Sequence, residues 1–122
     1  MQKRKPTLIT SEVAQDHASL RLHVDSDLYD FQGHFSHFPL LPGVTQIDWA
    51  LYYAVAKLGV PDQFNGMEVI KFQEPILPGA EITLTLDWDQ DKLKLSFRYT
   101  SQRGDQQVVH SSGKMKLSGA GD

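Results

Sequence analysis

The sequence predicts an α+β domain, with one long helix lying on one face of an antiparallel sheet. Three observations carry that reading. A single stretch repeats apolar residues at three- and four-residue spacing, as a helix with one buried face does. Several short stretches alternate apolar and polar residues, the period of a half-buried strand. Adjacent alternating stretches are joined by short polar turns, which makes them antiparallel hairpins.

Residues His17 to Val24 put Ala18, Leu20, Leu22 and Val24 on one face and His17, Ser19, Arg21 and His23 on the other. Asp25 to Pro42 follows as an irregular stretch. Loops are usually polar, yet this one holds Leu28, Tyr29, Phe31, Phe35, Phe38, Leu40 and Leu41. A greasy loop has to pack against something, so it is expected to form part of a site. The helix is expected from about Pro42 to Leu58, since proline suits a first helical turn and Gly59 with Pro61 ends the run. Its apolar positions are Val44, Ile47, Leu51, Ala54, Val55 and Leu58. Met67 to Gln73 is a short candidate strand, closed by Glu74-Pro75. Ile82, Leu84, Leu86 and Trp88 alternate with polar neighbours, and Leu93, Leu95, Phe97 and Tyr99 do so after the turn Asp89-Gln90-Asp91. A weaker last strand, Val109 to Leu117, follows Arg103-Gly104-Asp105. About five strands and one helix result.

Composition narrows the classes of function. The 122 residues make one domain, 1–122, with no room for a second core. A chain this short buries only about two-thirds of its unfolded surface, so added core from a second copy is a natural gain. The net charge of −3 argues against nucleic acid as a partner. The one basic cluster, Lys3-Arg4-Lys5, lacks aromatic neighbours and reads as a solvated end. There is no cysteine, hence no disulfide, thiol nucleophile or thiolate metal site. No stretch approaches the ~20 apolar residues of a membrane helix, and no signal peptide is evident, so no membrane is expected and the cytoplasm is the simplest address.

Two residues are out of place for their pattern. Asp48 falls on the stripe with Val44, Leu51, Val55 and Leu58. A carboxylate there is either at the stripe's edge, bonded to a loop, or an acid whose pKa burial raises so that it can donate a proton. His34, in Gly33-His34-Phe35, sits in the greasy loop. Alone, a loop histidine is more often structural than catalytic. Between the two lies Pro42-Gly43, where the unpaired amides of a helix start can bond an oxygen that gains negative charge. A base, an acid and an amide donor within fifteen residues form a coherent set. His34 and His37 have a His-x-x-His spacing but no evident third ligand, so no metal site is read. His17, His23 and His110 fall on polar strand faces and are expected to be exposed. Ser36 stands beside two histidines without resembling an activated nucleophile.

The segment Gly33-His34-Phe35-Ser36-His37-Phe38-Pro39-Leu40-Leu41-Pro42-Gly43-Val44 resembles the signature of the hotdog-fold 3-hydroxyacyl-[acyl-carrier-protein] dehydratases. Their pattern is approximately G-H-F-P-x-x-P-x-x-P-G-V with an acid fourteen residues after the histidine, where Asp48 stands. The likeness continues through Lys71-Phe72-Gln73-Glu74-Pro75-Ile76-Leu77-Pro78-Gly79. It implies a long helix wrapped by a curved antiparallel sheet, and a homodimer in which the histidine of one subunit faces the carboxylate of the other. It further implies that His34 removes the C2 proton, Asp48 protonates the departing hydroxyl, and the Gly43 amide polarises the thioester carbonyl. Phe31, Phe35, Phe38, Leu41 and Val44 would line an acyl tunnel, and neither metal nor organic cofactor is needed. The substrate would arrive on an acidic acyl-carrier protein, for which Lys71, Arg98 and Arg103 are available basic residues.

There are departures from the pattern. Ser36-His37-Phe38 replaces the common Pro-Gly-x, and Tyr52 stands where a glutamine is usual. An Asp acid is found in the branch that also isomerises the double bond, though this chain is shorter than that branch. Gln46, Trp49 and the short length look like the small dehydratases of aryl-polyene pathways. A hotdog thioesterase, or a non-catalytic acyl-binding subunit, would keep the fold with a different activity.

Overall fold

Alternation along the chain becomes a sheet whose apolar side is roofed by the one helix. A computed structural model describes residues 3–32 and 39–119. Its strands are β1 (Thr7–Val13), β2 (His17–His23), β3 (Gln63–Phe72), β4 (Glu81–Asp89), β5 (Lys94–Arg103) and β6 (Gln106–Ser118). They form one antiparallel sheet in the order β1-β2-β4-β5-β6-β3. A 3-10 turn (Tyr29–Phe31) precedes helix α1 (Gly43–Leu58), which is inserted between β2 and β3.

The four inner strands do what their period demands. Leu20 and Leu22 of β2, Leu84 and Leu86 of β4, Leu95 and Tyr99 of β5, and Met115 and Leu117 of β6 are buried, with Trp49, Ala50, Tyr53 and Ala54 of α1 against them. Burying each large side chain contributes roughly 1.5–3 kcal/mol. The α+β class and the single helix on one sheet face are as expected.

The sheet has six strands, one more than the alternation indicates. The addition is β1, which lies at an edge, is exposed along its whole length and carries a bulge between Leu8 and Thr10. A strand with no buried face needs no alternation, so none marks it. β3 forms the other edge and starts four residues earlier than expected, for the same reason. β6 is the longest strand, at 13 residues, rather than a weak one. Its inward positions hold Ser111 and Gly113 before Met115 and Leu117, which hides the apolar period. Gly113 is small because the Phe97 ring fills its space: an added Cβ would lie 2.6 Å from Phe97 Cε2. The helix ends as expected, with Gly59 in the left-handed region (φ 66°) and its amide bonded to the Val55 carbonyl.

Candidate active site

The start of α1 is held from the inside. Pro42 is the N-cap, in extended conformation (φ −60°, ψ 149°), and offers no side-chain acceptor. The Thr45 and Gln46 amides bond the Pro42 carbonyl at 3.1 and 3.2 Å. Among the described residues, no acceptor meets the Gly43 amide. Beneath this turn, the buried Gln46 uses both ends of its side chain. Its Nε2 donates to the Leu41 carbonyl (3.1 Å), and its Oε1 accepts from Ser111 Oγ of β6 (2.6 Å). Tyr99 of β5 donates to the Gln46 carbonyl (2.7 Å), and the Leu41 amide donates to the Ile76 carbonyl (2.8 Å). Burial holds the Tyr99 phenol well above its ordinary pKa, so it stays a donor.

A cavity of about 230 Å³ opens at this turn, lined by Leu40, Leu41, Gly43, Gln46, Phe72, Gln73, Glu74, Pro75 and His110. The Phe72 ring closes over Gly43, where an added Cβ would lie 2.5 Å from Phe72 Cζ. Any side chain at this position would displace the ring.

His110 is buried, which corrects the expectation of an exposed strand-face histidine. Its Nδ1 lies 3.0 Å from the Glu74 carbonyl and its Nε2 lies 2.8 Å from Ser101 Oγ. A carbonyl only accepts, so Nδ1 carries a proton; in the neutral ring Nε2 accepts from Ser101. The misreading came from counting alternation across the β5–β6 irregularity at Tyr99/Thr100, which shifts the faces of the strand. Arg103 grips the Glu74 carboxylate with two bonds (3.1 and 2.6 Å). These bonds hold the Glu74 carboxyl below its usual range and raise the Arg103 guanidinium. Arg103 thus already has an anionic partner, whereas Lys71 and Arg98 are simply exposed.

Asp48 needs a second correction. It is not on the buried face of α1: its side chain is 67% exposed. The buried helical residues are Thr45, Gln46, Trp49, Ala50, Tyr53 and Ala54. At about 100° per residue, Asp48 points roughly 150° away from the centre of that set. Of the expected stripe, Leu51 and Val55 are partly buried against the edge of the core, while Val44 beside Asp48 is exposed among the described residues. Val44 is 75% exposed and Tyr52 49%. The face that packs is instead built of aromatics and of polar residues with internal partners, which a hydrophobicity wheel underrates.

The basic cluster is also more than a solvated end. Lys3 pairs with Asp25 and Asp27, Arg4 with Asp30, and Lys5 with Asp48 at 3.8 Å. Trp49 Nε1 donates to the Arg4 carbonyl (2.9 Å), and the Lys5 ammonium sits 4.7 Å over the Tyr52 ring. Asp30 is nearly buried and accepts from Thr45 Oγ1 (2.7 Å); its Oδ1 lies 3.1 Å from Arg4 Nε without hydrogen-bond alignment.

Of the residues expected in the site, His34, Phe35 and Phe38 lie outside the described residues, as do Ser36 and His37. Phe31 belongs to the buried core, Leu41 is both core and cavity wall, and Val44 is exposed. Gly43 and Asp48 are not brought together within one chain. Gly43 lines the cavity with His110, whereas Asp48 lines two shallow cavities, one with Lys5 and Tyr52 and one with Arg4 and Asp30. Among the described residues, no three His, Asp or Glu side chains are grouped to hold a metal ion. None of their helices is long and apolar enough to cross a membrane.

Comparison with known proteins narrows the chemistry. Residues 10–114 match the ApeI-like family model, described as ApeI dehydratase. The dehydratase heterocomplex ApeI:P from Xenorhabdus doucetiae contains a chain 44% identical to this one, with a TM-score of 0.80 over 92% of this chain and 96% of that one. An uncharacterized protein from Erwinia carotovora subsp. atroseptica superposes with a TM-score of 0.84 at 40% identity, over 96% of this chain and 98% of that one. A 3-hydroxyacyl-[acyl-carrier-protein] dehydratase FabZ from Erythrobacter litoralis is 30% identical over 106 residues, 75% of this chain and 70% of its own length. Against the FabZ proteins of Koribacter versatilis and Polynucleobacter necessarius, the match spans about half of their length, 49% and 46%. The helix on a six-stranded antiparallel sheet is the hotdog fold of these relatives.

Proposed function

The chain belongs to the ApeI-like dehydratase family, and from that premise we propose that it removes water from 3-hydroxyacyl thioesters carried on acyl-carrier protein. Fold alone does not fix an activity; the site must support it. The observation that carries this reading is the Gly43 amide at the largely apolar cavity, which no acceptor among the described residues engages, with Asp48 on the other flank of the same helix.

In this mechanism His34 takes the C2 proton and Asp48 gives a proton to the C3 hydroxyl. The C3–O bond breaks, the C2–C3 double bond forms, and water leaves. Negative charge gathers on the thioester oxygen as C2 loses its proton, and the Gly43 amide, at the positive end of α1, stabilises it. After water leaves, the proton held by His34 passes back to Asp48, so over the cycle the water is made of the substrate's own C2 proton and C3 hydroxyl and no cofactor is needed.

The site is shared between two chains, with His34 of one facing Asp48 of the other. Three features support this. Gly43 and Asp48 open to different cavities of one chain. Beside Asp48, among the described residues, Val44 and Tyr52 are exposed apolar surface. β3 ends the sheet with Phe64, Val69, Ile70 and Phe72 all exposed, and an exposed apolar edge is a pairing surface. We take the partner to be a second copy; a related dehydratase chain is the other candidate, because the Xenorhabdus relative was solved as a heterocomplex.

The test is turnover of a 3-hydroxyacyl-carrier-protein thioester by wild type, His34→Ala and Asp48→Asn, following enoyl product and free thiol together. Enoyl thioester from wild type alone supports the assignment. Free thiol without enoyl product would move the protein to the thioesterases. Binding of the acyl carrier with neither product would make it a non-catalytic subunit.

A further inference from the structure

We propose that Gln46, locked by Ser111, is a positioning residue that aims the Gly43 amide at the substrate carbonyl; this rests on the dehydratase reading above. An amide donor stabilises a developing oxyanion only if its direction is fixed before the reaction. The usual device for fixing a helix start is a side-chain cap, and Pro42 cannot supply one. Gln46 does so from the opposite side. It sits one turn into α1, only 4% exposed, and donates from Nε2 to the Leu41 carbonyl. That bond spans the two residues between which the chain turns into the helix, Pro42 and Gly43.

A glutamine side chain can rotate or flip, so its amide needs an anchor of its own. Ser111 provides it. Ser111 is fully buried on β6, and its hydroxyl donates to Gln46 Oε1 at 2.6 Å. The Leu41 carbonyl only accepts, so it takes the nitrogen end of the amide; Oε1 then faces Ser111, whose hydroxyl donates to it and holds the amide against rotation. The Gln46 backbone is pinned as well, by Tyr99 OH on its carbonyl. Helix start, β5 and β6 thus meet at one residue, and none of these bonds engages the Gly43 amide. Phe72 and Pro75 line the same cavity with apolar surface, and among the described residues no acceptor takes the Gly43 amide, so it can donate to a carbonyl there.

Gln46→Leu removes both side-chain bonds at similar volume, and Ser111→Ala removes only the anchor. Each would be assayed as the full chain in its assembled state, with thermal melting recorded alongside. Turnover of the 3-hydroxyacyl-carrier-protein thioester should fall in kcat by about 10- to 100-fold, the scale of a misplaced or lost oxyanion donor, with KM within about twofold. A second readout uses unreactive ligands, a saturated acyl thioester on the carrier and its thioether counterpart, in which a methylene replaces the carbonyl. Wild type should prefer the thioester, and both variants should lose that preference while keeping their thioether affinity. Unchanged kcat and preference in folded variants would overturn the proposal, as would losses confined to KM or tracking the melting temperature. Should Gln46→Leu fail to fold, Ser111→Ala decides. The binding comparison does not need turnover, so absence of dehydration by wild type would sink the dehydratase reading without deciding the role of Gln46.

Discussion

Gly43 carries two demands at once, and they can be separated. Its amide is the proposed oxyanion donor, while its missing side chain makes room for Phe72, whose ring would lie 2.5 Å from an added Cβ. Phe72 is 52% exposed, so the ring can swing away. Alanine is also the better helix former, by roughly 0.8–1 kcal/mol. Gly43→Ala should therefore change stability by less than about 1 kcal/mol yet push Phe72 off the cavity wall and lower turnover about tenfold. A double-mutant cycle checks the cause: on a Phe72→Ala background, the same Gly43→Ala change should have little further effect. Equal losses on both backgrounds would mean that the ring is not the reason for the glycine. The spacing of Pro42-Gly43 made this residue legible in the sequence, but the ring that explains it lies 29 positions further on.

Elements were legible in proportion to how strictly one face is buried. β2, β4 and β5 alternate because they lie inside the sheet with one side on the helix. β1 and β3 are edges and carry no such code. Both ends of α1 were readable from Pro42 and Gly59, yet its buried face was not, because Gln46 and Thr45 are buried with partners drawn from distant strands and loops. The β4–β5 connection holds a different kind of exception. Asp89 Oδ1 accepts from the Asp91 and Lys92 amides, both at 3.1 Å, which turns the chain, and Leu93 then takes a left-handed conformation (φ 56°). For a residue with a Cβ that costs roughly 1–2 kcal/mol, and Leu93, 36% exposed, recovers part of it by burial. Leu93→Gly should change stability by less than about 1 kcal/mol, with a melting temperature kept or raised and unchanged turnover, since the relief of strain offsets the lost burial and glycine's greater unfolded-state entropy. A lower melting temperature would mean that the Leu93 side chain contributes more by packing than the backbone loses by strain.

At the scale of the whole molecule, the candidate site was readable as a motif but not as a place. The family resemblance pairs His34 with Asp48 by spacing, whereas a single chain puts Asp48 on an exposed flank of α1 and Gly43 at another cavity. No amount of single-chain periodicity distinguishes a face covered by its own sheet from one covered by a second chain. If the site is completed by a partner, the uncovered surfaces must be where that partner sits. Ile70 tests this at the open edge of the sheet. It is partly exposed, on a strand that ends the sheet, and far in sequence from the proposed catalytic residues. A lysine on an edge strand discourages pairing without disturbing the strand's own ladder, because the ammonium stays in water. Ile70→Lys should shift the mass in solution toward a single chain, keep the far-ultraviolet signature of the sheet, and lose dehydration in step with the dimer. Raising the protein concentration should restore both together by mass action. A single-chain form with full activity would overturn the shared site, and an unchanged dimer would move the partner's seat away from β3.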